Sequence, residues 1–422
     1  MQTQTIDAEQ VDRTTDPNID DLKSRAGAGI AAAEGTILDL SHRIHAHPEV
    51  AWEEHYAAAS VADVLEAAGF RTTRGAYGVE TAVEAIAGSG DLVIAICSEY
   101  DALPGIGHAC GHNIIASSGV GAALALAPLA DELGITVKLL GTPAEETGGG
   151  KVELLKAGAF EGVGAMLIMH PSSGPDLGSA GISTTAIGRF EVVFTGVEGH
   201  AGGGPQHSRN ALSAATVMLT AVGMLRQHLP TGATVNAIVT EGGTVSNVVP
   251  ARAVVQVEAR AYDLAEWRDL VQRVLKCAEG AAIATGCGWA HELVGNPYAP
   301  YNPDTDLCAR SDANLARTGR QPMQVKFPGG GSSDLGNVSQ VIPTTNVLVS
   351  VLDTPGMAHH PEWTEHTAGA QADRTTLDAA KVLAWTAIDA AADPELRARL
   401  VAEAEQREPG ATRAATLDPT AE

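Results

Sequence analysis

Apolar residues recur at helical spacing from about Gly29 to Ala46 and again from about Glu54 to Ala68. His47-Pro48 breaks the run between them, and Gly69 closes the second. The pattern then shifts to short unbroken apolar runs of strand length, Leu92–Cys97, Ile135–Leu140 and Ala165–Met169. A long apolar helix over about Ile114–Leu133 separates the first two runs from each other, and a further helix is expected at Val152–Ala157. Buried strands alternating with helices predict an α/β fold, with a mainly parallel sheet flanked by helices.

Around Ser183 the pattern changes. Arg189–Thr195, Thr234–Thr240 and Ala253–Arg260 alternate polar with apolar positions, as half-buried antiparallel strands do, and helical stretches cover Arg209–His228 and Ala265–Thr285. After Asn296-Pro297 the α/β character returns, with a strand at Asn346–Leu352 and a long helix near His366–Ala391. A chain of 422 residues exceeds one comfortable core. The expected organisation is a discontinuous α/β domain over residues 20–184 and 298–405, interrupted by an inserted α+β domain over 185–297. Residues 1–19 read as a disordered arm and 406–422 as a disordered tail.

Composition removes several function classes. Lys plus Arg number 27 against 51 Asp plus Glu, a net charge of −24, which argues against nucleic acid as a partner. No basic amphipathic helix and no run of about 18 apolar residues is present, so no membrane association is expected. The first 25 residues are polar and acidic and lack the apolar stretch of a signal peptide. Five cysteines, an odd number without framework spacing, fit a reducing compartment, and a cytoplasmic location is expected. The glycine runs at 148–150, 202–204 and 329–331 lack the Lys-Ser/Thr continuation of a phosphate loop.

The informative residues follow the apolar strands. Leu92–Cys97 leads into Glu99-Tyr100-Asp101, Ile135–Leu140 into Gly141-Thr142-Pro143-Ala144-Glu145-Glu146, and Ala165–Met169 into His170. Ligands of open parallel sheets bind outside the carboxyl ends of the strands, where these side chains would converge. Between the first two lies His108-Ala109-Cys110-Gly111-His112-Asn113. Cys110 and His112 can share a side of an extended segment, and thiolate with imidazole suits zinc and other borderline metals. Hydrolysis of an amide needs a polarised carbonyl, an activated water and a proton donor for the leaving nitrogen, which metal ions and a nearby carboxylate supply. Adjacent Glu145 and Glu146 fit a division into base and ligand. His42, His45, His47 and His55 read as exposed or packing residues on a helix and its turn.

The run from Glu99 to Asn113, followed by Gly141–Glu146, closely resembles the zinc aminoacylase/carboxypeptidase superfamily. The resemblance begins at Leu40–Glu54 and continues to Pro361-Glu362-Trp363. The form Glu-Tyr-Asp-Ala-Leu-Pro-Gly-Ile-Gly is most similar to the branch of β-alanyl-lysine dipeptidases and p-aminobenzoyl-glutamate hydrolases. It implies two divalent metal ions, zinc first with manganese or cobalt as alternatives, held by Cys110, His112, Glu146, His170 and His359, with Cys110 bridging. Glu145 would be the general acid/base, and Asp101 the carboxylate that orients a ligand histidine. In the inserted domain, a lid or dimerisation domain by this resemblance, His200 would stabilise an oxyanion, often from a partner subunit, which implies a homodimer. Asn247, Arg260, Gly331 and Ser332 fall at substrate-binding positions. Asn113 stands where many relatives carry Asp, although the dipeptidase branch also carries Asn. In Ala358-His359-His360-Pro361 the family spacing favours His359, with His360 as the alternative. The implied activity is cleavage of an N-acyl amino acid, or of a related small amide or dipeptide, with a free carboxylate. A dipeptidase acting on a free amine is the alternative within enzymes, and a non-catalytic binding relative the alternative outside them.

Overall fold

The computed structural model describes residues 17–324, 327–328, 331–352, 354, 356–408 and 410–411. The expectations for residues 1–16, for Gly329 and Gly330, and for the tail from 412 lie outside the described residues. The chain divides into two compact units. Of the described residues, the first comprises those up to Ser183, those within Asn302–Gly329 and those from Asn337 to Ala411; the second comprises those within Thr184–Tyr301 and Gly330–Gly336. The boundary thus differs from the expected one at 298. Tyr298 and Ile187 exchange backbone hydrogen bonds, and the Thr185 amide donates to the Gly331 carbonyl at 2.9 Å, so both segments belong to the inserted unit.

The first unit is built on a six-stranded sheet. Strands Ile135–Thr142, Leu92–Glu99, Val163–Ser172 and Thr344–Ser350 run parallel in that order, and Arg71–Arg74 and Val83–Gly88 add an antiparallel edge. The edge strands escape the sequence pattern because the outer one is polar and exposed. Helix His112–Leu126 packs on three of the parallel strands and is surrounded by helices Pro17–Ala32, Glu34–Ala46 and Ala370–Ala392. It is apolar on every side, as a core helix must be. The stretch His112–Leu133 is long and apolar enough to cross a membrane, yet it is mostly buried inside the protein. Close approach of helix and sheet needs Gly119, where a Cβ would stand 2.3 Å from Ser98 Oγ.

Two terminal expectations are corrected. Pro17–Ile19 are the first turn of a helix, not part of a disordered arm. Its buried face, Leu22, Ala26 and Ile30, keeps a four-residue spacing, and Lys23 Nζ donates to Asn314 and Asp389, both at 2.8 Å. At the other end, Ala392 is followed by a further helix, Pro394–Gln406, capped by Asp393, so residue 406 is still helical. Leu396 and Leu400 anchor that helix, a pattern too sparse among charged residues to register.

The second unit is a four-stranded antiparallel sheet in the order Gly288–Leu293, Ala186–Thr195, Arg252–Ala261, Thr234–Glu241. Helices Ala211–Leu225 and Leu264–Thr285 pack against it, started by side-chain caps from Asn210 and Asp263. Phe190, Val192 and Phe194 face inward on alternate positions, against Val255, Val257, Trp267, Val271 and Met218. All five cysteines are free.

Candidate metal centre

Strand ends deliver the side chains. Leu92–Glu99 ends at Glu99 with Asp101 just beyond, Ile135–Thr142 leads to Glu145 and Glu146, and Val163–Ser172 carries His170. Cys110 and His112 flank Gly111, whose φ of 81° starts the core helix. A Cβ at Gly111 would also stand 2.6 Å from Pro171 Cγ, so the turn needs glycine twice over. His359 lies beyond strand Thr344–Ser350, and its amide donates to the Ala109 carbonyl at 2.9 Å, which ties its loop to the Cys110 turn.

Three groups of potential donors form among the described residues. The donor atoms of Cys110, His112 and His170 lie within 4.8 Å of one another, as do those of Cys110, Glu146 and His359, and those of His112, Glu145 and Glu146. Cys110 Sγ is 3.4 Å from His170 Nε2, and Glu146 Oε1 is 3.3 Å from His359 Nε2 and 3.8 Å from His112 Nε2. Nδ1 of His112 is engaged by Asp101 Oδ1 at 2.9 Å, and Nδ1 of His170 by the Pro171 carbonyl at 2.7 Å. Each ring therefore keeps Nε2 for the centre, as metal-binding histidines do. His112 Nε2 and Glu146 Oε1 are buried without a hydrogen bond. Buried polar atoms are rarely left so, and a divalent cation would satisfy both. The residues fit such a group.

The electrostatics agree. Burial pushes the Cys110 thiol up. Burial alone would lower His112, but the charges of Cys110 and Asp101 outweigh it and raise that imidazole well above its ordinary range. The two directions are linked, because a neutral thiol cannot lift the imidazole, and the pair titrates as a unit. Burial, with His112 adding to it, lowers His170. Burial would raise Glu146, yet His359 and His112 bring it down. A cation takes the place of protons in such a cluster.

His360 belongs to none of the three groups; its amide bonds the Met357 carbonyl, and it precedes the short helix Pro361–Thr364. His42, His45 and His47 have other partners, Asp373, the Thr364 carbonyl and the Arg43 carbonyl. Asn113 is buried and donates to Ser41 Oγ and the Thr367 carbonyl.

The remaining expected residues lie in the second unit. Strand Gly199–His200 pairs with Val248–Val249, and the Ala201 amide donates to the Asn247 carbonyl at 2.9 Å, so His200 and Asn247 are neighbours. The His200 side chain is exposed and accepts from the Gly202 amide at 3.1 Å. Arg260 donates to Glu258 at 2.7 Å and to Ser332 Oγ at 3.4 Å, with Gly331 adjacent.

Two features carried no role in the sequence reading. Glu99 Oε2 lies 3.6 Å from His112 Nε2, and its Oε1 is 2.6 Å from the buried Lys151 Nζ, a paired charge on the Nε2 side of the histidine. Glu99 stood at a strand end already singled out; nothing in the sequence pointed to Lys151. The second is Glu54, fully buried, whose Oε1 accepts from the Ala144 amide at 2.8 Å. Ala144 holds φ at +56°, a left-handed conformation that costs a non-glycine residue about 1–2 kcal/mol.

Strand-end carboxylates and imidazoles around a bridging-capable thiol define a metal-dependent hydrolase. Residues 95–384 match peptidase family M20/M25/M40. The chain is 34% identical over 392 residues to a Xaa-Arg dipeptidase of Mus musculus, spanning 89% of this chain and 90% of that one. It is 29% identical over 352 residues to an N-acetylcysteine deacetylase of Bacillus subtilis (strain 168), spanning 78% and 91%. Its fold resembles that of a dinuclear metal binding peptidase from Bacillus subtilis, with a TM-score of 0.64 and 23% identity over 85% of this chain and 98% of the other. The chain belongs to peptidase family M20/M25/M40 and is a metal-dependent amidohydrolase.

Proposed function

We propose that the chain hydrolyses the amide bond of a small N-acyl amino acid, or of a related amide or dipeptide, that carries a free carboxylate. The sharing of Cys110, His112 and Glu146 among three donor groups, with Glu145 beside them, carries this reading. Cys110, His112, Glu146, His170 and His359 hold two divalent ions, zinc in the first instance. When bound there, such ions would supply Lewis acidity to the scissile carbonyl and the attacking water. Glu145 takes the proton of that water and returns it to the leaving nitrogen. Asp101 keeps the His112 proton on Nδ1, so that Nε2 faces the centre. His200 donates to the oxyanion, and Asn247, Arg260, Gly331 and Ser332 contact the substrate. The enzyme works as a homodimer in the cytoplasm, where five free thiols are stable.

A second reading is favoured by the identity with the Xaa-Arg dipeptidase. The substrate would then keep a free amine and end in a basic residue, which a net charge of −24 would attract. Release of free amino acid from N-acyl amino acids, p-aminobenzoyl-glutamate and Xaa-Arg or Xaa-Lys dipeptides, with bound metal quantified, tests both. Turnover confined to dipeptides selects the second, and no turnover of any by the metal-loaded protein overturns both.

A further inference from the structure

Two buried carboxylates hold the backbone around Glu145, one at the peptide that follows it and one at the amide of the residue before it, in the Pro143–Ala144 peptide. Asp101 Oδ2 accepts from the Glu146 amide at 2.9 Å, and Glu54 Oε1 accepts from the Ala144 amide at 2.8 Å. The Ala144 carbonyl accepts from the Gly149 and Gly150 amides at 2.9 and 3.3 Å, which closes the loop on itself. Asp101 has a second task at His112. Glu54 lies just before helix His55–Ala67, belongs to none of the three donor groups and has no exposed surface. Its other oxygen, Oε2, is buried without a hydrogen bond. A carboxylate is costly to bury, and besides its own amide and the Thr81 side chain this one engages the Ala144 amide. That amide belongs to the left-handed residue immediately before Glu145. The backbone torsions of Ala144 fix where the Glu145 side chain starts from, and an unheld Ala144 would relax toward the ordinary right-handed or extended regions.

We propose that Glu54 is a positioning residue, whose bond to the Ala144 amide holds Ala144 in the left-handed conformation that aims the Glu145 carboxylate. This rests on the reading of Glu145 as the base. Glu54 does not touch substrate; it acts through the backbone. A base displaced by about 1 Å costs up to about a hundredfold in rate.

The test uses the full-length, metal-loaded protein with Glu54→Met, Glu54→Gln, Glu54→Asp and, as a control, Glu145→Gln. Glu54→Met removes the acceptor at similar volume, so kcat should fall roughly ten- to a hundredfold, with KM and metal content unchanged. Glu54→Gln keeps an acceptor oxygen and should restore kcat to within a few-fold of the parent. Hydrogen exchange of the segment holding residues 144–146 should be faster in the Met variant and slow in the Gln variant. Equal kcat in Met and parent, or equal loss in Met and Gln, overturns the proposal. If Glu54→Met does not fold, Glu54→Asp decides: its carboxylate is drawn back by one methylene, and parental kcat there overturns the proposal. The control separates the two ideas. Full activity in Glu145→Gln defeats the base reading itself, whereas an inactive Glu145→Gln beside a fully active Glu54→Met defeats only the role given to Glu54.

Discussion

Asp101 and Glu146 are joined through the main chain: one carboxylate oxygen of Asp101 accepts from the Glu146 amide while the other accepts from His112 Nδ1, both at 2.9 Å. A carboxylate can accept twice, but an asparagine offers only one acceptor oxygen. In Asp101→Asn the amide nitrogen must therefore face either the Glu146 N–H or the imidazole, and the second choice moves the ring proton to Nε2. Metal affinity should fall by roughly ten- to a hundredfold, read by competition with a chromogenic chelator.

The adjacent glutamates should separate by readout. Glu145→Gln keeps shape but accepts no proton, so kcat should fall by about two to four orders of magnitude with metal content unchanged. Glu146→Gln should lose metal. Stopped-assay kinetics and elemental analysis of the same preparations check both, and the opposite pattern would exchange the two roles.

Chelation should abolish activity, and zinc, manganese or cobalt should restore it. Cys110→Ser should weaken metal binding, whereas Cys277→Ser, on a helix of the second unit, should leave it unchanged. Equal losses in the two variants would displace Cys110 from the centre.

Burial pushes the Glu54 carboxyl up to about 7, and the charge of Asp101 adds to the effect. The folded chain then holds a proton that the unfolded chain has lost, so this group's contribution to stability falls as pH rises from about 4.5 to about 7 and is lowest above that. The penalty at alkaline pH is about 3 kcal/mol. Glutamine carries no such penalty. Urea unfolding of Glu54→Gln and the parent at about pH 5 and about pH 8 should show the variant gaining relative stability at the higher pH; a constant difference would contradict the buried-acid account.

His200→Ala should lower kcat by about a hundredfold or more while leaving metal bound, the effect of removing an oxyanion donor. Mixing His200→Ala with Glu145→Gln protein tests whether His200 acts across subunits. Returning activity in the mixture supports action in trans, and a monomer that is fully active at assay concentration excludes it.

Sequence patterning revealed what depends on strand ends. Asp101, Glu145, Glu146 and His170 were visible because each follows an apolar run of strand length, and ligands of open parallel sheets bind outside such strand ends. His359 emerged only through family spacing, since no apolar strand leads directly into it. Glu54 and Lys151 were illegible for a related reason. Each is a charged residue at the start of a helix, where acids and lysines are common on the surface, and only burial distinguishes them. The first helix was hidden by Asp20, Asp21 and Lys23, although Leu22, Ala26 and Ile30 kept their period. The polar strand Arg71–Arg74 offered no period at all.

The proposed donors come from both sides of the inserted unit: Cys110, His112, Glu146 and His170 precede it, and His359 follows it. A chain emerging from the ribosome therefore reaches the last donor only after the whole insertion has been made. Metal uptake and folding of the first unit are then thermodynamically linked, because ions that bind only the finished cluster stabilise it by an amount that grows with the logarithm of their free concentration. Scarcity of the metal would lower the fraction of chains that stay folded as well as the fraction that turn over substrate.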